Sequence, residues 1–152
     1  MSNEVKQPRG LRNNNPLNIR LSKTKWLGQI KAVPTREGLE GSEKAFCVFE
    51  SMAYGWRAAF RLLCHTYYGK YKLRTIRAII NRWAPPKENN TSNYIKHVAE
   101  RTGIVPDQEL GAPATHPAQW MMLGIAMAIS ENGTANLDYL SMLKGWEMAM
   151  GL

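Results

Sequence analysis

Among the carboxylates of this chain, Glu131 occupies the position best suited to proton transfer. It closes the run HPAQWMMLGIAMAISENG, His116 to Gly133, the most apolar stretch of the sequence. Trp120, Met121, Leu123, Ile125, Met127, Ala128 and Ile129 leave almost no polar face, so the helix they predict must be largely buried. Pro117 suits the first helical turn and Gly133 a C-terminal stop. A carboxyl in the last turn meets the negative end of the helix dipole and apolar neighbours, and both disfavour its ionised form. A carboxyl that keeps its proton near neutrality is what general-acid catalysis requires. The competing reading is a solvated Glu that happens to follow a core helix.

A second group of polar side chains lies far away in sequence, in RGLRNNNPLNIR, Arg9 to Arg20. Three consecutive Asn followed by Pro16 cannot be helix interior, because Asn side chains compete for the backbone and Pro restricts the residue before it to extended conformations. Such a knot must either satisfy itself by local hydrogen bonds or face a polar ligand. Asn14, Asn15, Asn18 and Arg20 are therefore candidate binding residues, and a loop that lines a cleft would do both. Further carboxylates stand at Glu37, Glu40 and Glu43, and at Glu88 ahead of a capping Thr; each is also an ordinary solvated turn or helix-start charge. Trp83 closes an apolar helix, as a core residue or a cleft wall. His65, His97 and His116 share no motif, and no metal-ligand spacing surrounds Cys47 and Cys64, which sit in apolar runs and read as buried free thiols, with a bridge between them left open.

The elements that must position these residues are mostly helical. Ser51 caps a predicted helix to about Tyr68 that carries Arg57 and Arg61 on one face. Thr75 caps a second, with Ile76, Ile79, Ile80 and Trp83, ended by Pro85-Pro86. Thr91 or Ser92 opens a third, with Tyr94, Ile95 and Val98 inward and Gly103 as its stop; the helix to Glu131 and a last one from Leu137 to Met150 follow. Between Leu27 and Phe49, strand-like ends at Gln29–Val33 and Ala45–Phe49 with Gly38 and Gly41 between them predict a small β-hairpin lobe. The fold class is mainly α, an α+β single domain over 1–152 with residues 1–8 as a frayed tail.

At 152 residues the chain builds a real core without staples. Its 20 Lys and Arg against 12 Asp and Glu, a net charge of +8, favour an anionic partner: nucleic acid, a membrane surface or an acidic cell-wall polymer. MSNEVKQPRG has no apolar signal region, and the apolar run from 116 to 129 is too short to span a bilayer, so the expectation is synthesis in the cytoplasm and another route to any work outside it.

Taken in order, RGLRNNNPLNIR, Trp26-x-Gly28, FCVFESMAYGWRA, RWAPPKENNTSNYIKHV and ISENG resemble the phage and prophage family of virion-associated peptidoglycan hydrolases, over roughly residues 9–133. A more distant similarity is to the lysozyme-like flagellar glucosaminidases, which carry a Glu-Ser-Gly turn, then N-N-L-F-G-I-K, Trp-x-Gly, F-R-x-Y-x-S and Y-A-T-D-P. Here NNPLNIR, WLG, FCVFES and WAPPKENNT resemble the last four in order, while the Glu turn, Ser130 to Gly133, stands at the far end. That arrangement implies a circularly permuted lysozyme-like fold.

The resemblance implies Glu131 as the catalytic acid, Asn14, Asn15, Asn18 and Ile19 as the segment beside it, and Trp83 as an aromatic near the acid. It implies Glu37 as a second, lobe carboxylate, since Glu37 follows Thr35 with Arg36 inserted where the family has a Thr-Glu pair. Ser130 stands where nearer relatives often have His, and Asn90 where they often have Asp, which weakens any claim for a carboxylate there. The implied activity is cleavage of the β-1,4 glycan of peptidoglycan, as a muramidase or a lytic transglycosylase, by a monomer without metal or cofactor acting in the periplasm or wall, with delivery on a phage particle. Against it stands a non-enzymatic basic virion or nucleic-acid-binding protein, favoured by Arg57, Arg61, Arg74, Arg77 and Arg82 but unaccompanied by any DNA-reading motif.

Overall fold

The computed structural model describes residues 7–30 and 45–152, and over these the protein is mainly helical. After a single turn, α1 (Arg9–Arg12), come α2 (Met52–Phe60), which runs on without a break as a π-helical stretch (Arg61–Lys70), then α3 (Ile76–Trp83), α4 (Thr91–Thr102), α5 (Pro117–Asn132) and α6 (Tyr139–Met150). Local chemistry explains most of the boundaries. Ser51 accepts from the Tyr54 amide and Thr75 from the Ala78 amide, each satisfying an orphan N–H at a helix start. Gly103 and Gly133 close α4 and α5 in the left-handed conformation at φ 71° and 69°.

Three details differ from expectation. Thr91 opens α4 as expected, but the cap is Asn90, which accepts from the Asn93 amide; the Thr91 hydroxyl donates back to the Ala84 carbonyl. The last helix starts at Tyr139, two residues late, because Asp138 caps it through the Ser141 amide. Those bonds hold the Asp138 carboxyl below its ordinary range, with the Ser141 hydroxyl as the main cause. The π geometry after Phe60 had no counterpart in the sequence reading: no Gly or Pro lies between Trp56 and Tyr68 to announce it.

The core forms around α5, whose Trp120, Leu123, Met127 and Ala128 are fully buried. Trp56 and Phe60 of α2 stack at 5.4 Å between centroids, and Trp146 of α6 meets Phe60 edge-on at 5.0 Å. Helices α2 and α6 approach closely through Gly145, where a Cβ would press on Trp56 and lie 2.8 Å from the Ala53 carbonyl. A second, smaller cluster of Ile19, Cys47, Phe49 and Ala58 fastens the N-terminal loop to α2. Cys47 and Cys64 are both free and buried; burial pushes their thiols up to about 11 and about 12, so neither is a nucleophile at neutral pH.

The predicted β-hairpin is replaced, among the described residues, by two isolated antiparallel bridges, Arg20 to Phe46 and Gln29 to Phe49. Residues 45–50 thread between the Asn loop and residues 28–30: the Cys47 amide donates to the Ile19 carbonyl at 2.9 Å and the Ile30 amide to the Val48 carbonyl at 2.8 Å. The connecting residues 31–44, including Val33, Gly38 and Gly41, lie outside the described residues.

The loop sits on α2 so tightly that Gly55 has no room for a side chain: a Cβ there would collide with the Asn14 carbonyl. Gly55→Ala is therefore expected to lower stability by roughly 1–3 kcal/mol through overpacking, although Ala is the better helix former by about 1 kcal/mol. Thermal or urea unfolding checks this; an unchanged or raised midpoint would contradict the contact.

Candidate functional site

Asn14 and Asn18 adopt φ values of 52° and 53°, in the left-handed region that Asn tolerates better than other non-glycine residues. Two of the four asparagines in this segment are thus explained by backbone alone. Asn15 is fully buried and saturated: its Nδ2 donates to the Ile19 and Cys47 carbonyls, both at 3.0 Å, and its Oδ1 accepts from the Ile19 amide at 2.9 Å. Asn14 Nδ2 donates to the Phe49 carbonyl at 3.1 Å. These two were expected to line the cleft and do not. Their amides are consumed in pairing the loop with residues 45–49, the local satisfaction that a buried polar loop demands.

Asn18 points the other way. Its Nδ2 donates to Glu131 Oε1 at 3.1 Å, across 113 residues of sequence. On the second carboxylate oxygen, Oε2, Trp83 Nε1 donates at 3.2 Å and the Tyr94 hydroxyl at 2.8 Å. One loop and two helices therefore converge on a carboxylate carried by a third helix, and the apolar surroundings read from sequence are only part of its environment. The Tyr94 hydroxyl, 3.4 Å from the Met127 carbonyl as well, is held well above the ordinary tyrosine range, first by burial and then by the charge of Glu131 and its hydrogen bond.

Placement of the carboxylate depends on its neighbour Asn132, buried at the end of α5. Asn132 Nδ2 donates to the Ala128 carbonyl one turn back and to the Pro16 carbonyl of the loop, both at 2.9 Å. Gly10 lies so close to this amide that a Cβ there would strike Asn132 Oδ1.

Glu131 opens onto a cleft of about 470 Å³. Of the sequence candidates, Asn18, Ile19, Arg20, Trp83, Glu88 and Glu131 line it. Arg20 and Arg9 both lay their guanidinium groups over the Phe46 ring, 5.0 and 4.3 Å from its centroid, on the same wall. Trp83, read as a core residue or a cleft wall, lines the cleft, packs edge-on against Tyr67 at 6.3 Å and donates to the Glu131 carboxylate. Glu88 is exposed at the mouth, in the turn closed by its amide to the Pro85 carbonyl. Glu37, Glu40 and Glu43 lie outside the described residues. Among the described residues no group of three or more His, Cys, Asp or Glu is placed to hold a metal ion, and no helix is long and apolar enough to cross a membrane.

The sequence reading missed Tyr94 as a donor and Asn132 as an anchor. Tyr94 was assigned to the core by its helical spacing, which gives the face but not the end of a long side chain. Asn132 passed for a turn residue beside Gly133.

No known family model matches this chain. Over 142 residues, 91% of this chain and 80% of the relative, it is 40% identical to Protein P5 of Pseudoalteromonas phage PM2. The chain belongs to the family of that phage protein.

The Tyr94 environment has a measurable consequence. A folded-state value above the unfolded one, ordinarily about 10, contributes stability that is present below pH 10 and lost as the pH rises beyond it. Spectrophotometric titration is expected to show Tyr94 remaining neutral until the protein unfolds, so that the difference between the native protein and Tyr94→Phe stays flat through pH 10–11. Ionisation of Tyr94 with an ordinary midpoint in the folded protein would contradict its burial against Glu131.

Proposed function

We propose that this protein cleaves the glycan strand of peptidoglycan, with Glu131 as general acid, in a lysozyme-like and circularly permuted fold. The observation that carries the reading is one carboxylate at the wall of an open cleft, gripped by Asn18, Trp83 and Tyr94. Oε2 already takes two donors, whereas Oε1 takes one, which makes Oε1 the oxygen with room to carry a proton toward a glycosidic oxygen in the cleft. The grip fixes the carboxyl rotamer, and a fixed acid is what a short-lived oxocarbenium-like transition state needs.

Two routes complete the reaction. A second carboxylate about 6.5–9.5 Å away activates water on the opposite face of the sugar, or the muramoyl 6-hydroxyl of the substrate closes on its own anomeric carbon and no second carboxylate is needed. In the first route Glu37 is the base; in both, Arg20, Trp83 and Glu88 hold saccharide along the cleft. Asn18 Oδ1 is a buried acceptor without a protein partner beside Glu131, suited to a sugar hydroxyl or amide N–H. Net positive charge holds the enzyme on its acidic polymer. Kinship to a phage protein is consistent with delivery to the wall on a virion.

Turbidity clearing of purified sacculi tests the assignment. Glu131→Gln is expected to stay folded, because a Gln oxygen can accept from Trp83 and Tyr94 while the Asn18 amide turns over to meet the new NH2 group. Its clearing rate is expected to fall about 10²–10⁴-fold. Glu37→Gln is expected to lose far less. A folded Glu131→Gln protein that clears sacculi at the native rate would remove Glu131 from the chemistry.

A further inference from the structure

Beyond Trp26 the cleft continues into a second groove of about 850 Å³, which shares Thr24, Trp26 and Leu62 with the first. Its character is different. Lys25, Arg57, Arg61 and His65 line it together with Thr66 and Tyr71, and none of its described lining residues is acidic. Arg57 and Arg61 stand one turn apart on α2 and the π-helical stretch that continues it, and His65 follows on the same side. Like charges so close repel: burial first, then Arg61, lowers the Arg57 guanidinium from its ordinary value. Burial followed by the two guanidiniums likewise holds His65 below its ordinary range, so its ring is neutral at pH 7 and offers a single N–H. Arg61 secures itself by donating from Nη1 to the Ala149 carbonyl at 3.3 Å, while no carboxylate pairs with Arg57 among the described residues. At the junction of the two grooves the Trp26 indole N–H is buried without a partner.

Concentrating cations in a concave, acid-free groove is unfavourable in the empty protein and becomes favourable when an oxyanion enters. The groove opens directly onto the Glu131 cleft, with which it shares Thr24, Trp26 and Leu62. We propose that it is a subsite for a carboxylate-bearing branch of the glycan polymer, the free carboxylates of the stem peptide, which Arg57, Lys25 and the His65 N–H engage while the adjoining strand lies against Glu131. The inference rests on the peptidoglycan reading for the identity of the polymer, but not for its cleavage.

Co-sedimentation with purified sacculi tests it, with Glu131→Gln as the background so that the polymer survives. Adding Arg57→Gln and His65→Gln is expected to weaken binding roughly tenfold, the size of one lost charge-assisted contact. Arg57→Lys alone is expected to keep most of the affinity. Sacculi whose carboxylates have been amidated with carbodiimide should bind the unmodified groove only as well as native sacculi bind the double variant, an arm that does not depend on the variant's folding. Sacculi stripped of phosphate polymers by hydrofluoric acid should bind as before. Equal binding by the parent and a folded double variant, no response to amidation, loss of binding on phosphate removal, stronger Arg57-dependent binding to duplex DNA than to sacculi, or no binding to sacculi at all would each overturn the proposal. Arg57-dependent binding by a native protein that clears no sacculi would instead overturn the cleavage reading and leave the groove standing.

Discussion

The amide of Asn132 is the contact on which the site depends. By donating at once to Ala128 in its own helix and to Pro16 in the N-terminal loop, it locks the end of the most buried helix to the most polar loop. The loop's other asparagines are used up in holding it there: Asn15 saturates three backbone groups and Asn14 one more, while the backbones of Asn14 and Asn18 take the left-handed turn that a bulkier residue would resist. Losing that amide takes away the donor to the Pro16 carbonyl, while the Ala128 carbonyl keeps its place in the helix ladder; a buried group left unpaired costs about 1–3 kcal/mol. With that junction in place, Asn18 meets Glu131 without further adjustment.

Around the carboxylate, apolar packing and hydrogen bonding have separate duties. The core of α5 excludes water on one side, and Trp83 and Tyr94 reach in from α3 and α4, each with one polar atom at the end of a large apolar body. The back-bond from Thr91 to Ala84 ties the start of α4 to the end of α3, the two helices that carry these donors. The π-helical stretch after α2 brings Leu62 and Tyr67 to the cleft while Arg61 and His65 face the second groove.

Legibility in the sequence followed the range of the interactions. Helices with a side-chain cap, an apolar stripe and a Gly or Pro stop were placed to within a residue or two, since those signals are local: Ser51, Thr75, Gly103 and Gly133 sit where they were read. Glu131 and the polar loop were singled out by composition, and their meeting was expected from the resemblance. The division of labour among Asn14, Asn15 and Asn18 was not legible, because it turns on which amide faces the paired segment 45–49 and which faces the cleft. Nor was the π geometry, since no Gly or Pro between Trp56 and Tyr68 announces it. Tyr94 shows the limit of periodicity: it reports that a side chain points inward, not that its hydroxyl travels as far as a carboxylate on another helix.

The central claim is that the chemistry at Glu131 breaks a glycosidic bond. Mass spectrometry of soluble fragments released from purified sacculi reads this directly. Disaccharide-peptide fragments with intact stems are expected, ending either in a reducing sugar or in a 1,6-anhydro sugar; the anhydro product would dispense with Glu37 as a base. Fragments cut only within the peptide, or no soluble fragments from active, folded protein, would contradict it.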